Sequence, residues 1–154
     1  MRISMIVLIC VVLTLSISAS AADFQDYKRA SVAQAWAETV AIEGADYTIE
    51  AANYKYVVET IYTGYHREIA PARKELFHRW TKSLRHPEEY AQLCAHEIQI
   101  RDGKQAYWLP LQNVLLNPFA AEATANSRLR LHIIYIGATG KERVFMISRF
   151  QVLQ

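Results

Sequence analysis

The last third of the chain, residues 128–153, constrains the fold more than any other stretch. It carries two runs rich in β-branched and aromatic residues, separated by a break that holds Gly137 and Gly140. Apolar runs either side of a glycine-bearing break predict a β-hairpin. A sheet needs another layer over its apolar face, so the upstream segments are expected to supply cover.

Residues 23–43 read as a helix, because Val32, Ala35, Trp36 and Val40 recur at three- and four-residue spacing and Gly44 follows as a stop. Residues 45–53 fit no template. Residues 54–63 fit two: Tyr54, Val57, Val58, Ile61 and Tyr62 match a helical stripe, but the density of β-branched and aromatic residues favours a strand. Residues 71–85 predict a helix opened by Pro71. Leu76, Phe77, Trp80 and Leu84 share one face, and Lys74, His78, Lys82 and Arg85 share the other. Glu75 and Arg79 form an i, i+4 pair of opposite sign. A short helix is expected from Pro87, with Glu88 and Glu89 in its first turn and Tyr90, Leu93 and Cys94 buried.

Residues 96–109 read as a hairpin turning at Asp102-Gly103, with Trp108 inward, Tyr107 outward and Pro110 ending the strand. Residues 114–124 read as a helix interrupted at Asn117-Pro118. The expected class is α+β. An antiparallel sheet of about five strands is covered by an N-terminal helix and an inserted helical segment, in one domain over 22–154. The order of strand, helices, hairpin, helix, hairpin resembles an OB-like barrel with a helical insertion after its first strand. An open antiparallel sheet fits the same order.

Export is written at the N-terminus. Arg2 is the only charge before Asp23, an apolar run covers 5–17, and Ala19-Ser20-Ala21 supplies the small residues that signal peptidase selects. The run falls short of the ~20 apolar residues of a bilayer span. Residues 1–21 therefore read as a cleaved signal peptide, leaving a periplasmic or secreted chain with no transmembrane segment. Cleavage removes Arg2 and Cys10, so the net charge falls from +2 to +1 and Cys94 is the one remaining cysteine. With no intramolecular disulfide available, the domain must stand on its core. Cys94 itself reads as a buried, inert thiol.

Chemistry is sparse. His66, His78, His86, His96 and His132 show no metal-ligand spacing. Cys94 and His96 lack the electropositive surroundings of a reactive pair. No phosphate loop, nucleophile elbow or paired-carboxylate signature occurs. No catalytic residue, metal or cofactor is expected. The uneven feature is charge: residues 22–65 hold seven acids against three bases, and residues 66–86 hold six Lys/Arg against two Glu.

Two functional classes follow. The first is a non-enzymatic binding protein of the bacterial envelope, inhibitor- or immunity-like. It would contact a protein partner or anionic ligand through Lys74, His78, Lys82, Arg85 and the outward Tyr107. The second is a small periplasmic hydrolase assembled from scattered His, Glu and Tyr. A deep pocket holding two of His66, His78, His96 and Glu97 would favour the second, and dispersed histidines the first. Export and a near-neutral mature charge argue against nucleic acid. N-terminal sequencing of exported protein should begin at Ala22, and a membrane-retained product that still carries Arg2 would refute the cleavage.

Overall fold

The computed structural model describes residues 26–49, 54–83 and 93–154. The expected signal peptide, residues 84–86 and the helix expected from Pro87 lie outside the described residues, apart from Leu93 and Cys94. The chain runs β1 (Lys28–Arg29), α1 (Val32–Glu38), β2 (Tyr47–Ile49), β3 (Lys55–Glu68), α2 (Pro71–Lys82), β4 (His96–Asp102) and β5 (Gln105–Leu111). A 3-10 turn (Asn113–Leu115) leads into α3 (Leu116–Glu122), and the hairpin β6 (Arg128–Thr139) and β7 (Glu142–Leu153) closes the chain.

The architecture is α+β around a closed five-stranded barrel, so the open-sheet alternative is set aside. The ring order is β3-β4-β5-β7-β6, and β3 pairs back onto β6 to close it. The β5–β7 pairing is parallel and the other ring pairings are antiparallel. β1 adds a parallel edge to β3, and β2 an antiparallel edge to β6.

Closure depends on β3. Its first half pairs with β6 and its second half with β4, with a register shift between Tyr62 and His66. Gly64 sits inside that shift with φ +93. A Cβ there would lie 2.8 Å from the Cβ of Ala125, so the bend needs glycine both for conformation and for space. Tyr56, Val58, Thr60 and Tyr62 are buried in alternation, which is the period of a strand and not of the helical stripe.

The helix expected over 23–43 is shorter. Lys28–Arg29 is a strand, and Ser31 opens α1 with a capping box to Gln34. The helix ends at Glu38, which leaves Val40 59% exposed and puts Gly44 in the turn before β2 instead of at a helix end. Trp36 still reaches the core, stacking on Phe145 at 4.3 Å, so α1 closes one end of the barrel. Phe119 of α3 lies at the other end, 5.1 Å from both Tyr62 and Phe150. α3 is continuous from Leu116, so Asn117-Pro118 does not start a new turn.

A second apolar cluster lies outside the barrel. Leu76, Phe77 and the half-buried Trp80 of α2 pack on Ile136, Val144 and Met146. β7 is therefore buried on both faces from Val144 to Ile147, with Phe145 and Ile147 inside and Val144 and Met146 under the helix.

α2 is also tied by charge. Glu97 is 0% and Arg73 3% exposed. One Glu97 oxygen accepts from Arg73 and the other from Arg67 Nε at 2.5 Å, while Arg73 also bonds Glu142 and donates to the Trp108 carbonyl at 3.2 Å. Removing one member of such a buried set strands a charge, at a cost of about 3–5 kcal/mol. Arg73→Ala should lower urea stability by about that much, whereas Lys74→Ala, one residue along on the exposed side, should stay within ~0.5 kcal/mol. Equal effects would show that the network contributes nothing.

Candidate functional site

The helix stripe forms as its period requires: Lys74, His78 and Lys82 are exposed on the side of α2 away from the barrel. Arg85 lies outside the described residues. Arg79 pairs with Glu75 at 2.8 Å and covers the ring of Tyr47 at 4.5 Å. Neither Lys74 nor Lys82 has an acidic partner among the described residues, so the acidic N-terminal segment does not answer the stripe there.

Tyr107 faces the other way from expectation. It shares its side of β5 with the buried Leu109 and Leu111 and meets Trp36 at 4.8 Å. Trp108 takes the outer side, where the Arg67 guanidinium lies 3.9 Å over its ring. Pro110 does not end β5, which continues to Leu111 with Pro110 opposite Glu97.

The histidines divide. His78 is on the exposed helix face, and His132 is on the outer barrel wall against Tyr27 at 4.9 Å. His66 and His96 line one cavity of about 620 Å³ between β3, β4 and α3. Glu97 alternates to the opposite side of β4, into the arginine network. Cys94 is buried, and burial pushes its thiol pKa far up, which suppresses the thiolate a nucleophile requires. Among the described residues no group of His, Cys, Asp and Glu could hold a metal ion.

A further group of charges lies on the outer wall formed by β1, β3, β6 and β7. Register places Arg29, Val57, His132 and Arg149 in one cross-strand row, Glu59, Arg130 and Gln151 in the next, and Ile61, Arg128 and Leu153 in a third. These positions alternate with the buried Tyr56, Val58, Leu129, Leu131 and Ile133, so their side chains share the outer face. Four arginines from three chain segments thus surround one glutamate, a local net of +3 on a chain whose total is +2.

Glu59 accepts from Arg130 at 2.7 Å and 3.2 Å, and Arg128 stands 4.0 Å away. The hydrogen bond from Arg130 is the main reason that its carboxyl pKa is lowered; the charges of Arg130, Arg128 and Arg29 add to it, against some desolvation. Burial lowers the pKa of His132, and the charges of Arg149 and Arg130 lower it further. The arginine charges are the lesser contribution to both shifts, after the Arg130 hydrogen bond at Glu59 and burial at His132. No sequence motif marks this wall, because the arginines are up to 120 residues apart and only the ladder register joins them.

No protein-family model, curated protein or solved structure matches the chain.

A group with a depressed folded pKa contributes stability above its unfolded pKa and loses it as pH falls through the folded one. Glu59 should therefore titrate below the ordinary glutamate value of ~4.3 by carboxyl NMR, and Arg130→Gln should move its midpoint upward. An unchanged midpoint would remove Arg130 as the cause.

Proposed function

We propose that the protein is an exported, non-enzymatic binding module of the bacterial envelope, and that its four-arginine wall docks a phosphate-bearing anionic surface. The observation that carries this reading is the placement of Arg29, Arg128, Arg130 and Arg149 in adjacent rows around Glu59. Guanidinium groups bond phosphate oxygens in bidentate fashion, and a clustered positive field draws an anionic partner to one face.

The element order and the ring closure support an OB-like barrel. Such barrels bind along their second and third strands, here β4 and β5. In this chain that side carries Arg67 on Trp108 and the Arg73–Glu97–Glu142 set, whose charges already satisfy one another. On the β1–β3–β6–β7 wall, by contrast, four arginines share three adjacent rows with one glutamate. The α2 stripe of Lys74, His78, Lys82 and Arg85 is the weaker site, because its cations stand along one helix without the converging rows.

A hydrolytic reading has one observation in its favour: His66 and His96 line the same cavity. The described lining itself holds no carboxylate or thiol, and Glu68, opposite His96 in the register, stands outside it, exposed to solvent.

Sedimentation with phosphatidylglycerol vesicles tests the docking. The mature protein should bind these and not phosphatidylcholine vesicles, and should be released as salt shortens the screening length from ~10 Å at 0.1 M to ~3 Å at 1 M. Arg128→Glu with Arg130→Glu and Arg149→Glu should abolish binding; Lys74→Glu with Lys82→Glu and Arg85→Glu should leave most of it. The opposite ranking moves the site to α2, and capture of an acidic protein without vesicle binding overturns the lipid partner.

A further inference from the structure

The cavity at the α3 end of the barrel is separate from the arginine wall. Its apolar side is made by Ile98, Leu111, Leu116 and Phe119, and small residues such as Ala120 and Ala123 leave the volume unfilled. At about 620 Å³ it falls in the range of small-molecule sites, which run from ~300 to ~1,000 Å³.

Two imidazoles border this apolar space. His66 pairs with Ile98 across β3 and β4, and His96 is two residues from Ile98 on the same side of its strand. The two rings are therefore diagonal neighbours on one face. Nδ1 of His96 is buried with no hydrogen-bond partner among the described residues, so the ring meets the cavity that it lines through its Nε2 edge. Glu68 stands opposite His96 in the register and is exposed, which sets a negative charge near the mouth.

We infer that this cavity binds a linear acyl chain, with the chain among Ile98, Leu111 and Phe119 and its carbonyl-bearing head accepting from the His66 and His96 imidazoles. An apolar wall with a few convergent polar groups is the common composition of such a site. Glu68 disfavours a carboxylate head against a neutral ester. No bond is made or broken. The cavity retains its ligand, and the two histidines act as hydrogen-bond donors.

Isothermal titration of the mature protein with three ten-carbon probes tests the inference. Monodecanoin should bind one per chain, decanoate more weakly, and decyltrimethylammonium, whose head accepts no hydrogen bond, at least tenfold more weakly than monodecanoin when measured at ~1 M salt, where a screening length of ~3 Å removes its attraction to Glu68. Ala120→Trp, at an exposed position on the lining, should fill the cavity and weaken monodecanoin at least tenfold in a protein with unchanged circular dichroism. His66→Leu with His96→Leu should erase the preference for monodecanoin over the ammonium probe. Arg128→Glu with Arg130→Glu should leave binding unchanged, which separates this site from the arginine wall. Absence of saturable binding, indifference to Ala120→Trp, or equal affinity for the ammonium probe would overturn the inference. Release of decanoate from monodecanoin would overturn it in favour of catalysis.

Discussion

The 14 residues of β3 must serve two neighbours in succession, β6 along the first half and β4 along the second. A straight strand could not turn from one to the other and still present a single face inward. The bend at Gly64 resolves this, and it exists because the position accepts φ +93 and the close approach of Ala125. Once β3 turns, the ring closes, and the side that β4 leaves open along the first half of β3 is taken by β1. Closure removes the ring's free edges, where unpaired N–H and C=O groups would otherwise invite association.

α2 is held against this ring by two unlike forces. Leu76 and Phe77 remove apolar surface of β6 and β7 from water. Arg73 and Arg67 divide the two oxygens of a glutamate that has no exposure to solvent. Burial of charge is costly in itself, so such a network contributes orientation more than net stability. It sets which face of α2 meets the barrel, and so leaves Lys74, His78 and Lys82 facing solvent. A similar close approach occurs at the far edge. A Cβ on Gly137 would lie 1.9 Å from the Thr48 carbonyl oxygen, so β2 can pair there only with glycine in β6.

The two proposed sites arise from different properties of the barrel. The arginine wall is a consequence of register: a one-residue slip of β6 against β3 would turn Arg128 and Arg130 inward. The cavity is a consequence of volume. The interior is filled by Tyr135, Phe145 and their neighbours up to the level of Ile98, and beyond it the alanines of α3 are too small to complete the packing.

Local chemistry is legible in the sequence. The β6–β7 hairpin, the Asp102-Gly103 turn and the amphipathic α2 each follow from periodicity and turn residues within a window of a dozen positions, and the strand at residues 54–63 follows from its β-branched and aromatic density, against a period that also fits a helix. The burial of Arg73 leaves only a faint trace, its alignment with Leu76, Phe77 and Trp80 on the buried face at helical spacing. The facing of Tyr107 and Trp108 is opposite to expectation because alternation says that one of the pair must turn inward and not which. That choice depends on Trp36 and Arg67, which are far away in the chain. The gathering of Arg29, Glu59, Arg130 and Arg149 depends on strand pairing, and the meeting of His66 with His96 on the closure of β3 onto β4. The sequence alone thus determined the β4–β5 and β6–β7 hairpins and the helix α2, because those preferences are local. Tertiary structure decided which side chains share a face, because register and barrel closure couple residues that no local pattern connects.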